Sequence, residues 1–327
     1  MTRGTSAAIP SGTPGKAYLT SAEIRPLAQR SDGMGAWLVL HCWGVIAGAV
    51  ALFALWPTPL TALVAVMLIG SRQLGLAILM HEAAHNALFK SRRLNDRVGQ
   101  WLCARAILAD LPAYRHYHLT HHRYTQTERD PDLALSRKFP TTRASLLRKF
   151  TRDLTGQTGL KQLLGQIRMA IILAGDAEAM EAASGDFAQT FKSPRLLPAL
   201  PVFLAPMLLM SALGAWWWGL AFWLLPYLTW FQFVVRLRNI AEHGAVEHSE
   251  NPFQNVRTTY AGPLARALVA PYWVNYHLEH HMVMHVPCWQ LPSLHRLLLD
   301  KGLEQKMRLA PNYRAALIEA GWHRRSV

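Results

Sequence analysis

The feature that most restricts the fold of this chain is a pair of long tracts with almost no Lys, Arg, Asp or Glu. Between Gly33 and His81 the only such residue is Arg72, and between Leu196 and Val235 there is none. A transmembrane helix needs about 20 apolar residues, so each tract is long enough for a helical hairpin of two spans. We therefore predict an all-α integral membrane fold with four transmembrane helices. The predicted spans are residues 36–56, 58–80, 196–213 and 215–235.

The basic residues predict how these hairpins are oriented. Of the 34 Lys and Arg residues, all but Arg72 lie in three segments, residues 1–35, 90–195 and 236–327. Cytoplasmic loops of membrane proteins are enriched in Lys and Arg, so we expect these segments and both termini to be cytoplasmic. Basic segments beside a membrane suit anionic lipid headgroups. They account for the net charge of +14 without a nucleic-acid partner.

The N-terminal composition indicates one membrane domain with a polar tail, and the cysteines fit a reducing cytosol on one side of the membrane. Residues 1–33 are polar and rich in Gly, Pro and Ser, and we predict that they form a flexible cytoplasmic tail. A single domain is predicted for residues 34–327. The three cysteines form no CxxC pair, which argues against structural disulfides and against iron–sulfur ligation.

Histidine clusters follow the apolar tracts. They are His81-Glu-Ala-Ala-His85, His118-Leu-Thr-His121-His122 and His277-Leu-Glu-His280-His281. Residues three and four apart share a face of a helix, so we expect each cluster to point two or three imidazoles at one spot. Imidazole binds iron, zinc, copper and nickel, and these eight side chains exceed what one tetrahedral ion can use. The clusters therefore predict a dinuclear metal centre, held by a cytosolic helical cap.

Three other interpretations of these clusters remain open. The pattern His81-Glu82-x-x-His85 also fits a zinc protease, in which the glutamate is the general base. A catalytic zinc takes three protein ligands, so a protease leaves the later clusters unexplained. A metal transporter would place its ligands at the middle of the bilayer, whereas these histidines lie beyond the predicted spans. Ordinary surface or core histidines would account for one cluster more readily than for three.

Polar residues near the span ends add to this picture. After the second hairpin, Asn239 and His243 are four residues apart, as His81 and His85 are after the first. This repetition predicts that the helix after each hairpin delivers ligands to one centre. Arg72 is an ionisable residue inside a predicted span, where such residues are typically functional. We predict a contact with substrate or a lipid headgroup, with simple extension toward the inner headgroups as the alternative.

The three clusters, spread over two hairpins, resemble the integral-membrane fatty acid desaturase/hydroxylase superfamily across roughly residues 36–300. The resemblance implies a non-haem diiron enzyme that uses O₂ and two electrons to dehydrogenate or hydroxylate an acyl chain. It implies eight metal ligands: His81, His85, His118, His121, His122, His277, His280 and His281. Asn239-x-x-x-His243 is similar to a pair in the acyl-CoA branch, which implies direct binding by His243 and water-mediated binding by Asn239.

The resemblance also bears on partners and substrate. The chain has no His-Pro-Gly-Gly motif of cytochrome b5, so an external electron donor is expected, either a ferredoxin or a cytochrome b5-like carrier. The first cluster is similar to sphingolipid desaturases, and the sequence after the third is closer to bacterial acyl-lipid desaturases. We therefore expect an enzyme that introduces a double bond into a lipid acyl chain, in a bacterial inner membrane, with the endoplasmic reticulum as the alternative location. The alternative is a hydroxylase of an acyl, sphingoid or isoprenoid chain.

Acidic residues near the clusters are expected to orient the imidazoles. Two Fe(II) ions bound only by neutral histidines would leave strong positive charge, and ligand N–H groups usually donate to carboxylates or carbonyls. The acidic residues predicted for this role are Glu82, Asp130, Asp132, Glu242 and Glu279. The alternative for each is a solvent-exposed carboxylate with no contact to the centre.

Overall fold

Long apolar helices dominate the structure, a computed structural model that describes residues 14–173 and 194–321. This part of the chain is mostly helical, as predicted. Its α-helices are α1 (Ser21–Leu27), α2 (Asp32–Leu55), α3 (Pro59–Ala84), α4 (Arg92–Val98), α5 (Leu111–Tyr124), α6 (Leu133–Ser136), α7 (Arg143–Leu154), α8 (Gln157–Leu173), α9 (Leu200–Leu213), α10 (Leu225–Leu228), α11 (Trp230–His243), α12 (Pro263–Leu268), α13 (His277–Met282), α14 (Leu291–Asp300) and α15 (Tyr313–Glu319).

Shorter helical turns and one small sheet complete the described elements. The π-helical turns are Gly99–Ala104 and Leu220–Leu224. The 3-10 turns are Pro14–Ala17, Arg105–Ile107, Pro194–Ala199, Pro271–Trp273, Cys288–Gln290 and Glu304–Lys306. The strands β1 (Thr258–Thr259) and β2 (Leu309–Ala310) pair in parallel.

Within the described residues, three helical segments are long and apolar enough to cross a membrane. They are Asp32–Leu55, Pro59–Ala84 and the run Leu220–His243. These segments overlap the first, second and fourth predicted spans, and the last of them continues past its predicted end to His243. The third predicted span, residues 196–213, contains a shorter apolar helix, Leu197–Leu213.

The first hairpin joins two continuous helices. The hydroxyl of Ser31 accepts a backbone hydrogen bond at the start of α2, and Thr58 does the same for α3, where Pro59 occupies the first turn. Helix α2 exposes large apolar side chains such as Trp37 and Leu40, as a helix that faces lipid does. Helix α3 is more deeply buried and packs against α2, α5 and α11. It is therefore the central helix of the fold.

The second apolar region, residues 196–235, is less regular than the first. Helix α9 contains Pro206, and the turn Leu220–Leu224 is π-helical. At Thr229, between α10 and α11, the backbone is not helical. A methyl group at Gly70 of α3 would lie 2.9 Å from Cβ of Trp230, so the two helices cross at close range. This crossing brings the C-terminal ends of α3 and α11 into one region, surrounded by shorter helices: α4, α5 and α12 contact α3, and α6, α7 and α15 contact α11.

The structure describes part of the segment predicted as a flexible tail, residues 1–33. Leu19 is buried in the core, and a Cβ atom on Gly15 would lie 2.7 Å from the carbonyl oxygen of Met282 in α13. The described part of this segment therefore packs close to the helix that carries the third histidine cluster, and the flexibility of the tail stays a prediction. Residues 1–13 lie outside the described residues.

Candidate metal centre

Nine buried histidines converge near the ends of α3, α5, α11 and α13. They form two groups of possible metal ligands. The first group is His81, His85, His118, His122 and His280. The second group is His121, His243, His277 and His281. Within each group the ligand atoms lie within 4.8 Å of one another, so each group is compact enough to surround one ion.

Each H-x-x-H-H cluster points two imidazoles at one group, within the expected two or three, and its third imidazole at the other group. In α5, His118 and His122 belong to the first group and His121 to the second. In α13, His277 and His281 belong to the second group, and His280 belongs to the first. With 3.6 residues per turn, residues four apart differ in direction by about 40°, whereas adjacent residues differ by about 100°. One cluster can therefore serve both groups.

The end of α3 is held by two polar residues that sequence reasoning missed. Arg115 donates from Nε to the carbonyl oxygen of Ala84 and from Nη2 to that of Ala83, both at 2.9 Å. Asn95 also donates from Nδ2 to Ala83, at 2.7 Å. Carbonyl groups at a helix C-terminus lack partners within the helix, and these bonds supply them. They fix the turn that carries the first histidine cluster.

The end of α11 is held in the same manner by Arg257, whose side chain is fully buried. Its Nη1 donates to the carbonyl oxygen of Ala241 at 3.2 Å, and its Nη2 donates to Glu319 at 2.8 Å. Its backbone N–H donates to the carbonyl oxygen of Glu242 at 2.9 Å. A cation at a helix C-terminus is also favoured by the helix dipole. Arg115 and Arg257 thus fix the helix ends that carry the first cluster and His243.

Two predicted carboxylates lie against His121. Its Nδ1 is 2.8 Å from Oδ1 of Asp130 and 3.6 Å from Oδ2 of Asp132. Asp130 is held in turn by the backbone N–H of Gln126 at 2.8 Å, and Asp132 accepts a hydrogen bond from the hydroxyl of Tyr117. This network orients the imidazole with Nδ1 toward the carboxylates, which leaves Nε2 free to bind an ion.

Two more predicted carboxylates each lie near one histidine. Oε1 of Glu82 is 3.2 Å from Nδ1 of His81, while its Oε2 accepts from the backbone N–H of Cys288 at 2.8 Å. Oε2 of Glu242 is 3.5 Å from Nδ1 of His277. In both cases the carboxylate lies at Nδ1, as it does at the second cluster, so the same nitrogen of each ring remains available.

Glu279 is placed differently from the prediction. Its Oε1 lies 2.6 Å from Nδ1 of His295, and its Oε2 accepts a hydrogen bond from Thr258. Among the residues that the structure describes, it makes no hydrogen bond with any of the nine histidines. The prediction that Glu279 orients a ligand imidazole is therefore wrong. Because Glu279 follows His277 by two residues, the side chain of Glu279 points to the other side of the helix.

Several of the nine histidines lie outside the membrane-spanning segments, and burial favours the neutral form of most of these. It lowers the pKa of His85 to about 3, and Arg115 acts in the same direction. Burial also lowers the pKa of five others well below the usual range: His118, His122, His277, His280 and His281. His121 differs: burial lowers its pKa, but Asp130 and Asp132 outweigh this effect, and the pKa is raised. Neutral imidazole is the form that binds a metal ion.

The facing nitrogen atoms fit metal ions better than they fit one another. Nε2 of His122 lies 3.0 Å from Nε2 of both His118 and His280. Two neutral imidazoles share a hydrogen bond only if one donates, so three facing nitrogens cannot all be satisfied. Within the described chain, buried Nε2 of His81 and His85 has no hydrogen-bond partner. Ligand atoms bound to a metal at about 2.1 Å would lie about 4.2 Å apart on opposite sides of the ion. This separation is close to the 4.8 Å within which the ligand atoms of each group lie.

A cavity of about 170 Å³ lies against the second group. The histidines that line this cavity are His118, His121, His243 and His277. Apolar and aromatic side chains supply much of the rest: Leu74, Met80, Ile107, Tyr227, Phe231 and Val235. Such a cavity suits an apolar substrate with few polar groups.

The two other predicted site residues have distinct positions. Asn239 lines the cavity beside the second group, and its water-mediated contact with a metal stays a prediction. Arg72 is only 5% exposed. Its Nη2 donates to the carbonyl oxygen of Ala267 at 2.6 Å, which ties α3 to α12. The predicted contact of Arg72 with substrate or headgroup also stays a prediction.

Comparison with known proteins agrees with this geometry. The family model described as fatty acid desaturase matches residues 55–312, a range that includes all nine histidines. The chain belongs to the fatty acid desaturase family. The resemblance inferred from the histidine clusters is thereby confirmed, and the chain is an oxidoreductase. Family membership favours this activity over the zinc-protease and metal-transporter alternatives.

Two relatives of this desaturase-family chain are named for different reactions. The dihydrorhizobitoxine desaturase of Bradyrhizobium elkanii is 29% identical over 313 residues, which cover 92% of this chain and 81% of that protein. The beta-carotene ketolase of Paracoccus sp. (strain PC1) is 26% identical over 265 residues, which cover 78% of this chain and 86% of that protein. The family therefore indicates an oxidation without fixing its product.

Proposed function

We propose that this chain is a diiron desaturase that introduces a double bond into the acyl chain of a membrane lipid, with O₂ as co-substrate. The convergence of nine buried histidines in two compact groups beside one cavity carries this proposal. Imidazole binds iron, and nine ligands in two groups suit two ions. When bound, the two ions, with O₂ and two electrons, supply an oxidant able to remove hydrogen from an unactivated carbon.

The chain's own residues would hold the ions and position the substrate. All nine histidines are proposed as direct ligands, and Asn239 as a ligand through water. The carboxylates of Glu82, Asp130, Asp132 and Glu242 would fix the imidazoles through Nδ1. The cavity would hold one C–H bond of the chain beside the second group and exclude water from it. Its largely apolar lining supports an acyl chain as the substrate.

The proposed setting is a bacterial inner membrane crossed by four helices in two hairpins, with both termini and the metal centre on the cytoplasmic side. Three helices of sufficient length and apolar composition support the spans, and the positions of the basic residues support the orientation. An external ferredoxin or cytochrome b5-like carrier would supply the electrons. A basic surface suits an acidic carrier of this kind, because opposite charges speed association.

Lipid analysis of cells that express the protein tests the proposed reaction. We expect a lipid acyl chain lighter by two hydrogens than its precursor, formed only in the presence of O₂ and a reductant. The variant His277→Ala should abolish this product. The variant His116→Ala should retain it, because His116 lies on the same helix as the second cluster but is exposed. Formation of the product without O₂ would contradict the proposal.

Hydroxylation or ketone formation is the second candidate, since one relative is named a beta-carotene ketolase. The same centre would then act on an acyl, sphingoid or isoprenoid chain. A product heavier by one oxygen would indicate a hydroxylase, and a product with one oxygen more and two hydrogens fewer would indicate a ketolase. Either product, without a new double bond, would replace the desaturase assignment.

A further inference from the structure

The side chain of Arg238 has donors that the protein leaves unused. Arg238 lies in α11 one turn before Glu242, and its Nε donates to Oε1 of that residue at 2.7 Å. Within residues 14–173 and 194–321, neither terminal nitrogen of its guanidinium group has a hydrogen-bond partner. The side chain is 21% exposed and lines the cavity. A side chain with unused donors therefore lines the space in which we place the substrate.

Tyr114 provides a second unused donor in the same cavity. Its ring is stacked on that of His118, with 5.2 Å between the ring centres. Its hydroxyl has no hydrogen-bond partner among the described residues, and it lines the cavity. Arg238 lies close enough to oppose the rise that burial causes in the pKa of Tyr114. The two donors thus share one region of the cavity.

This region lies beside the second histidine group. The carboxyl group of Glu242 contacts Arg238 through Oε1, and its Oε2 is 3.5 Å from Nδ1 of His277. One carboxyl group therefore separates the guanidinium group from a ring of the second group. A substrate atom bound by Arg238 would be only a few bonds away from a carbon held near the second group.

A plain hydrocarbon segment is a poor occupant of this region. A methylene chain packed against the free part of a guanidinium group would displace water from a cation and supply no acceptor, which is costly. Carboxylates and carbonyl oxygens are the acceptors that guanidinium groups bind best, often through two parallel hydrogen bonds. The lining therefore favours a substrate with an oxygen acceptor near the reacting carbon.

We propose that Arg238, assisted by Tyr114, binds a carboxylate or carbonyl oxygen of the substrate and so determines which carbon is oxidised. The oxidised carbon is then a few bonds from that oxygen, and the apolar remainder of the chain lies along the apolar lining. This inference rests on the proposed function and narrows its acyl substrate to oxidation near the carbonyl end. Arg238 acts in specificity; the hydrogen is removed at the metal centre.

Binding without turnover tests this assignment. The probes are decanoate, methyl decanoate and decane, each radiolabelled and measured at equilibrium with the iron-loaded protein in lipid nanodiscs, without O₂ or reductant. We expect at least one oxygenated probe to bind about ten- to hundredfold more tightly than decane, the range for hydrogen bonds to a charged group. Preference for decanoate would identify a carboxylate as the natural acceptor, and equal preference for the ester would identify a carbonyl.

Three variants separate recognition from structural damage. Arg238→Met should remove the preference by weakening the binding of the oxygenated probe without weakening that of decane, with two irons per chain retained. Tyr114→Phe keeps the stacked ring and should reduce the preference by about two- to tenfold. Arg137→Met is the matched control, because Arg137 follows α6 near the cavity but its side chain is 62% exposed; its preference should equal that of the wild type.

Several outcomes would overturn the inference. These are equal binding of all three probes by the wild type, equal weakening of all three by Arg238→Met, or an unchanged preference in Tyr114→Phe. If Arg238→Met loses iron, the Tyr114→Phe result decides. Failure of the proposed function would show separately, as the absence of any oxidised lipid in expressing cells, since the binding experiment involves no turnover.

Discussion

The two histidine groups differ in the number of ligands and in how those ligands are oriented. The first group has five histidines, and among the described residues one carboxylate, Glu82, contacts it. The second group has four histidines, and three carboxylates contact it: Asp130 and Asp132 at His121, and Glu242 at His277. Thr125 adds a contact to His281 at 3.3 Å. The first group therefore relies on the number of its ligands, and the second on their orientation.

The cavity adds a further difference between the groups. Three of its four lining histidines belong to the second group. Water and substrate therefore reach the second group more directly, and each of its four ligands carries a larger share of the binding. The comparison teaches that two groups built from one type of side chain need not hold metal ions with equal strength.

Loss of a ligand should have the largest effect and should differ between the groups. We expect His277→Ala to lower the iron content from two ions per chain to about one and to lower activity by more than about 100-fold, since even indirect contacts are worth 10- to 100-fold. His85→Ala leaves four histidines in the first group and should retain more iron. Metal analysis of purified protein measures both. Equal iron loss in the two variants would remove the proposed difference.

Loss of an orienting carboxylate should have the next largest effect. Asp130→Ala removes the closest carboxylate at His121 and a bond to the backbone of Gln126. We expect the affinity of the second group for its ion to fall by about 10- to 100-fold. The rate of iron transfer to a chelator measures it. Glu128→Ala is the matched control, because Glu128 lies in the same loop but is exposed and pairs with a surface arginine.

The corresponding change in the first group should be milder. Glu82→Gln keeps the size of the side chain and removes the charge beside His81. We expect a loss of affinity of about tenfold, the lower end of the range for such contacts, because four other histidines still hold the ion. The same chelator assay applies. A loss as large as that of Asp130→Ala would show that ligand number does not protect the first group.

The smallest expected effect concerns a neutral hydroxyl. Thr125→Val removes the contact with Nδ1 of His281 but preserves the shape of the side chain. A neutral hydrogen bond contributes about 0.5–1.5 kcal/mol, so we expect about a two- to tenfold faster release of iron from the second group. Release from the first group should stay unchanged. A faster release of both ions would indicate that the substitution disturbs α5 as a whole.

The convergence of the histidines was predictable from the sequence because their spacing reflects helix geometry. Three clusters and the pair Asn239 and His243 repeat intervals of three and four residues, and the structure brings all nine histidines together. Their division into two groups follows from the 100° step between neighbours such as His121 and His122, although the prediction did not apply that step. The long apolar tracts similarly predicted the long helices. Glu279 was misassigned because proximity in sequence does not give direction.

The residues that hold the helix ends could not be found in the same way. Arg115 and Arg257 are two of 34 basic residues, and no interval connects them to the carbonyl groups that they bind. Their partners are determined by how α5 and the segment before β1 pack against the long helices. The packing of the described N-terminal residues could not be predicted for a related reason, because their contacts are with residues distant in sequence, such as Met282 of α13 and Phe253.

The placement of His280 in the first group has a consequence for the order of events during biosynthesis. The first group begins with His81, near the start of the chain, and the second with His121, yet both groups are completed only by residues of α13. A nascent chain that ends before residue 280 contains neither group in full. Metal acquisition should therefore follow synthesis and insertion of nearly the whole chain, and a transcript truncated just before α13 should yield a membrane-inserted polypeptide with neither complete site.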